Sequence, residues 1–247
     1  MKIDVLGVLV NTDTKTEILA QILQRLKASQ KTFIVTPYSE SLVAAQKDEE
    51  FKRVLNSADI SLPDGVGVAL AARWTKAGVI RERIPGREFV WDLARLASEN
   101  NYSVFLLGGF GDTAERAGAA LKEKFSNLRI AGTAAPDENS PFTPSLIKEG
   151  EGGVPDFLFV ALGPIRQEKW IARNLPNLPV KLVIGLGGTF DYLAGKRPPA
   201  PRFWAQAGLE WLWRLITQPW RVGRIFRGVL GLIWYAIKKG GRGDSRE

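Results

Sequence analysis

The chain contains neither cysteine nor histidine. Without cysteine it has no disulfide, no thiol nucleophile and no thiolate metal site, a composition that suits a reducing cytoplasm. Without histidine it has no Ser-His-Asp or Cys-His catalysis and none of the usual zinc sites. A general base must then be Asp, Glu, Lys or Tyr. No Asp-x-Asp occurs, which argues against a carboxylate pair holding a divalent metal on a diphosphate. No Gly-x-x-x-x-Gly-Lys-Ser/Thr occurs either, so a P-loop is excluded. The first residues, Met1-Lys2-Ile3-Asp4, lack the basic-then-apolar order of a signal peptide. The apolar run Gly228–Ile237 is ten residues long, against the roughly 20 needed to span a bilayer.

What is present divides the chain in two. The net charge is +8, and residues 196–247, with 11 basic and 3 acidic side chains, carry all of it. Residues 1–195 balance at 23 of each sign. Five of the eight tryptophans, Trp204, Trp211, Trp213, Trp220 and Trp234, also lie in the basic part. A neutral domain over 1–195 and an appendage over 196–247 are expected, joined by the proline-rich stretch Lys196–Arg202.

Short apolar runs alternate with helical stretches through the first part. Strands are expected over Ile3–Val10, Thr32–Thr36, Asp59–Leu62, Ser103–Leu107, Leu128–Gly132, Phe157–Leu162 and Val180–Leu186. Thr12 and Asp13 can cap a helix whose apolar stripe is Ile18, Ile22, Leu23 and Leu26. Ala134–Gly153 reads as mostly loop with a short helix. The alternation predicts an α/β fold, a largely parallel sheet with helices on both faces.

Open α/β sheets bind ligands at the carboxyl ends of their strands. The most explicit such end lies in Asp156–Trp170. An unbroken apolar run suits a strand buried on both faces, Gly163-Pro164 ends it, and the following helix start delivers Gln167 and Glu168. The next unit repeats the plan with Val180–Leu186, Gly187-Gly188 and Asp191. Thr36 and Asp64 sit at two earlier strand ends, and Arg83 in a basic loop with Lys76 and Arg81. Each has a plainer reading. Asp64 can cap a helix from Val66, Thr36 can be a strand-end hydroxyl, Asp191 a turn carboxylate and Arg83 a solvated surface residue. Gly108-Gly109-Phe110-Gly111 resembles a phosphate-binding turn, but its spacing is not Gly-x-Gly-x-x-Gly and no acidic ribose partner follows.

In the appendage, Val222, Ile225, Phe226, Val229, Leu230, Ile233 and Ile237 share one helical face flanked by Arg221, Arg224 and Arg227, with Pro219 suited to the first turn. Basic groups and tryptophan around such a face fit a helix lying in a membrane interface. A helix packed on the domain or on another subunit is the competing reading. RNA binding is a third, and it leaves the continuous apolar face unexplained.

Taken together, the residues resemble the WecG/TagA/CpsF family of glycosyltransferases. The matching pieces are Thr36-Pro37, Pro63-Asp64-Gly65, Glu82-Arg83-Ile84-x-Gly86, Phe105-Leu106-Leu107-Gly108, Phe157-x-Phe159-Val160-Ala161-Leu162-Gly163, Gln167-Glu168-Lys169-Trp170, Gly187-Gly188-x-Phe190-Asp191-x-x-Ala194-Gly195 and Gly208-Leu209-Glu210-Trp211-Leu212-x-Arg214. They follow family order and cover nearly the whole chain. Tyr38 stands where the family usually has Asn, and Glu88 where it usually has Asp. The resemblance implies a Rossmann-like domain with a C-terminal membrane-association appendage. It implies inverting transfer of N-acetylmannosamine or a related sugar, from a UDP donor to a polyprenyl-diphosphate-linked N-acetylglucosamine, in wall teichoic acid or surface polysaccharide synthesis. Asp64 is then the general base and Arg83 neutralises the departing diphosphate. Thr36, Gln167 and Asp191 hold donor groups, Tyr38 lies near the sugar, and Arg214, Arg221 and Arg224 fold over the site onto the diphosphate. No metal or other cofactor is expected, nor a nucleic-acid partner. The expected location is the cytoplasmic face of an anionic membrane, and a homo-oligomer is left open. Two other readings stand beside it: a non-catalytic membrane- or RNA-bound adaptor with a degenerate site, and an oxidoreductase with its nucleotide at Gly108–Gly111.

Overall fold

The computed structural model describes residues 1–135, 147, 153–197, 204, 212–213 and 222–240, with side chains throughout except at 222, 224–227, 229 and 239–240. A hairpin of β1 (Lys2–Val5) and β2 (Val8–Asn11) opens the chain. Six further strands follow: β3 (Thr32–Val35), β4 (Ile60–Ser61), β5 (Ser103–Gly108), β6 (Arg129–Ala134), β7 (Phe157–Ala161) and β8 (Leu182–Gly185). They form one sheet in the order β4-β3-β8-β7-β5-β6, and every neighbouring pair is parallel. The helices are α1 (Lys15–Lys27), α2 (Ser39–Ala45), α3 (Glu49–Ser57), α4 (Val66–Trp74), α5 (Gly86–Glu99), α6 (Thr113–Lys124), α7 (Arg166–Asn174), α8 (Thr189–Leu193) and α9 (Val222–Gly240).

The unbroken apolar strands are explained by the two layers of helix. Side chains alternate along a strand, so Phe157 and Phe159 enter one core with Ile34, Leu106 and Ile184, under α1, α5 and α6. Leu158 and Val160 enter the other with Phe33, Phe105 and Val183, under α2, α3, α4 and α7. All five residues of β7 are buried, and each large apolar side chain so placed contributes about 1.5–3 kcal/mol.

Two local expectations are corrected. Ile3–Val10 is not one strand, because Leu6 and Gly7 take positive φ of 57° and 82° and turn the chain back on itself. The cap of α1 is Thr14, in a reciprocal pair with Glu17, rather than Thr12 or Asp13. Gly187-Gly188 is a turn as expected, and the short helix α8 follows it.

Helix α9 packs on α2 and α4. Its approach depends on missing side chains: a Cβ on Gly228 would lie 2.8 Å from Glu40 Cγ, and one on Gly231 3.0 Å from Val43 Cγ1. Gly228, Leu232 and Ala236 are buried at i, i+4 and i+8, whereas Leu230, Trp234 and Ile237 are exposed. The helix therefore has two apolar faces, one buried on the domain and one turned outward. Packing on the domain and an outward apolar stripe, posed as alternatives by the sequence, coexist. In the expected stripe, Leu230 and Ile237 are exposed and Ile233 is half-buried, while the side chains of Val222, Ile225, Phe226 and Val229 lie outside the described residues. Pro219 and the loop expected over most of Ala134–Gly153 also lie outside them. Among the described residues no helix is long and apolar enough to cross a membrane.

Candidate active site

The carboxyl ends of β4, β3, β8 and β7 open into a cleft of about 520 Å³. Its floor is polar: Thr36, Asp64, Arg83 and Gln167 line it, with Tyr38 beside them. Its wall is apolar and comes from two helices, Leu70 and Trp74 of α4 and Leu232 and Ile233 of α9. At 1.5 Å of rise per residue, Leu70 and Trp74 stand about 6 and 12 Å along α4 from Val66. Both are about two-fifths exposed. The cleft thus grades from charged strand ends to exposed hydrocarbon.

Asp64 follows β4, and its backbone N–H donates to the Pro37 carbonyl at 3.1 Å. It does not cap the helix beginning at Val66, whose cap is Gly65 with no side-chain hydrogen bond. Its Oδ2 instead accepts from the Gly86 N–H, the first amide of α5, at 3.3 Å. The loop carrying Arg83 is pinned on both sides. Arg81 pairs with Glu17 and its Nε donates to the Thr12 carbonyl at 3.0 Å. Glu82 accepts from the Lys15 N–H at 2.8 Å, and the Ile84 N–H donates to the Pro63 carbonyl at 3.0 Å. Arg83, held between these anchors, lines the cleft rather than standing in solvent.

Thr36 donates from Oγ1 to the Gly185 carbonyl at 3.3 Å, bridging the ends of β3 and β8. The Tyr38 hydroxyl donates to Glu40 Oε2 at 3.2 Å. Asp191 is not among the cleft-lining residues. Its Oδ2 lies 3.1 Å from Arg197 Nη2, and Arg197 lines the cleft in its place. The carboxylate expected to hold a donor group is thus paired with an arginine of the cleft. Arg214 and Arg221 lie outside the described residues, as does the side chain of Arg224 on α9.

Gln167 and Glu168 occupy the first turn of α7 and are both buried. Gly187 N–H donates to Gln167 Oε1 at 2.9 Å, and Gln167 Nε2 donates to Glu168 Oε1 at 2.7 Å. A Cβ on Gly185 would lie 2.7 Å from Gln167 Nε2, so the amide rests directly on the β8 backbone. Burial raises the Glu168 carboxyl above the usual carboxylate range, against the opposing effect of its hydrogen bonds from Gln167 and nearby backbone.

Sequence reasoning did not single out Arg87 and Arg197, both of which line the cleft. Arg87 follows directly on the Glu82–Gly86 motif, which is the signal for it. The signal for Arg197 is the family's Arg-Ala-Pro pattern, altered here to Arg197-Pro198-Pro199-Ala200-Pro201, and the turn after α8 brings the arginine back to Asp191.

The carboxyl groups of Glu40, Asp64 and Glu168, three arginines and an apolar wall around one strand-end cleft suit group transfer on a substrate that is anionic at one end and greasy at the other. The comparison with known proteins agrees with that class. The model of the Glycosyl transferase WecG/TagA/CpsF family matches residues 3–246, and the chain belongs to that family. It is 30% identical over 230 residues to an N-acetylglucosaminyldiphosphoundecaprenol N-acetyl-beta-D-mannosaminyltransferase of Staphylococcus aureus (strain MRSA252), covering 91% of this chain and 88% of that one. It is 34% identical over 192 residues to a protein of the same name from Bacillus subtilis (strain 168), covering 78% and 74%.

Proposed function

We propose that the protein transfers N-acetylmannosamine, or a close relative, from a UDP-linked donor to a polyprenyl-diphosphate-linked N-acetylglucosamine, inverting the anomeric carbon. Its place is then wall teichoic acid or surface polysaccharide synthesis. The observation that carries this reading is the cleft's gradient from Asp64 and Arg83 to Leu70, Trp74 and Ile233. A lipid-linked sugar has the matching order of hydroxyl, diphosphate and hydrocarbon.

In this reading Asp64 takes the proton of the acceptor hydroxyl as that oxygen attacks the anomeric carbon. The bond to the donor's diphosphate breaks on the opposite face and its electron pair leaves with UDP. Arg83, with Arg87 and Arg197 nearby, stabilises the charge that develops there. Thr36, Tyr38 and Gln167 hold the donor, and Asp191 contributes by orienting Arg197. Arg214, Arg221 and Arg224 are assigned to the diphosphate by family pattern. The outer stripe of α9 and the appendage's positive charge hold the enzyme at the cytoplasmic face of an anionic membrane, where each basic group near the surface adds about 1 kcal/mol. UDP release is expected only when both UDP-sugar and lipid-linked acceptor are present, and its absence with authentic substrates would sink the reading.

Arginines replace a metal in this scheme. Among the described residues no three carboxylates gather into a cation site, and the sequence has no Asp-x-Asp. Activity is therefore expected to survive EDTA; strict dependence of recovery on Mg²⁺ or Mn²⁺ after chelation would refute this part.

Gly185→Ala tests the seat of Gln167. The new methyl carbon would lie 2.7 Å from Gln167 Nε2 and so displace the amide. The donor KM is expected to rise about tenfold, the usual scale of one lost hydrogen bond in a polar site. An unchanged KM would remove Gln167 from donor binding.

A further inference from the structure

Glu168 has no part in the mechanism above, yet its placement is unusual. It lines the cleft, is 7% exposed, and its Oε2 is buried with no hydrogen-bond partner among the described residues. Buried carboxyl oxygens are rarely left so. The chain reaches this position through a costly local geometry, since Ile165, the residue before α7, has φ of +68°.

The neighbouring amide explains half of the arrangement. Gln167 could be flipped end for end without changing its shape. The flip is blocked because Oε1 meets the Gly187 N–H donor while Nε2 meets an acceptor oxygen of Glu168. With that bond made, one N–H of the Gln167 amide remains for the cleft. The second oxygen of Glu168 makes no hydrogen bond among the described residues, and the Ile165 and Glu168 backbone, which favours the charged form, is outweighed by burial.

We propose that Glu168 is a positioning and specificity residue for the donor sugar: its Oε1 fixes the Gln167 amide, and its Oε2 carries a hydroxyl that donates to an oxygen of the sugar. This rests on the glycosyltransfer reading above. A neutral carboxyl supplies the acceptor and the donor that these two tasks need, and the burial of the group favours that form over the anion. A carboxylate would leave two acceptor oxygens and no donor. The sugar groups that fit Oε2 are acceptors such as a hydroxyl or the N-acetyl carbonyl. Those groups, and not the nucleotide, are what Glu168 would discriminate.

The test compares Glu168→Met and Glu168→Gln in the full chain. Methionine keeps the length and loses both polar atoms. Glutamine offers a carbonyl to Gln167 and an N–H in place of the hydroxyl. Glu168→Met is expected to raise the KM for UDP-sugar about tenfold to a hundredfold while the Kd for UDP alone, read by calorimetry, stays within about twofold. Glu168→Gln is expected to recover most of that loss. Equal damage in both variants would show that a carboxylate is required and overturn the proposal. So would an unchanged KM in Glu168→Met, or parallel losses of sugar and UDP binding, which report disturbed packing. If Glu168→Met does not fold, Glu168→Gln decides alone: a KM near wild type supports the proposal and a large rise refutes it. A wild type that releases no UDP with authentic substrates is a failure of the glycosyltransfer reading, distinct from all of these.

Discussion

Asp64→Asn is expected to lower turnover by roughly 10²–10⁴, the usual contribution of a positioned general base, while UDP affinity stays close to wild type. The asparagine keeps an oxygen able to accept from the Gly86 N–H, so the start of α5 and the shape of the cleft persist. What it loses is the capacity to take the acceptor's proton. Steady-state UDP release, with calorimetric binding of UDP as control, separates the two effects. Near-normal turnover in this variant would reduce Asp64 to a ligand of the α5 amide.

Gly231→Leu is expected to cost more than its location suggests. A Cβ alone would sit 3.0 Å from Val43 Cγ1, and a whole isobutyl group has no room there. Overpacking of this kind costs about 1–3 kcal/mol, and the cheapest relief is for α9 to leave α2. The cleft then loses Leu232 and Ile233 from its wall. Turnover is expected to fall at least about tenfold, measured with a short water-soluble acceptor analogue so that anchoring plays no part; 1.4 kcal/mol of lost contact is enough for that factor. Trp234→Glu is the complementary change, on the exposed face of the same helix. It should abolish binding to anionic liposomes and leave turnover on the soluble analogue intact. If Gly231→Leu keeps full activity on the analogue, the inner face of α9 is not part of the working cleft.

Much of the architecture was legible because burial on two faces writes itself plainly. An apolar run such as Phe157–Ala161, closed by Gly163-Pro164, has few alternatives to a central parallel strand. What stayed hidden depended on backbone detail or on distant partners. Leu6 adopts a left-handed conformation that a leucine does not advertise, and so one expected strand became a hairpin. Asp191 pairs with Arg197, six residues further on, a contact that its position after a strand end does not reveal. The Asp64 partner is an amide 22 residues away, which spacing cannot reveal. In α9, periodicity marked Leu230 and Ile237, which do face outward, together with Ile233, which lines the cleft. The inner face is partly glycine, which scores as nothing on an apolarity count yet gives the closest approach in the seam.

The nineteen-residue helix α9 turns one apolar face onto α2 and α4 and another outward. In the proposed membrane-bound state, lipid around the outer stripe of α9 also holds the inner stripe against α2 and α4, and so favours the covered cleft over the uncovered one. Couplings of this kind are reciprocal. A substrate that fills the cleft against Ile233 strengthens the grip on the surface by the same factor by which the surface strengthens its own binding. Under the proposed membrane seating, the bilayer is an effector of the enzyme as well as its workplace, and a molecule adrift from it holds the lipid-linked acceptor less tightly.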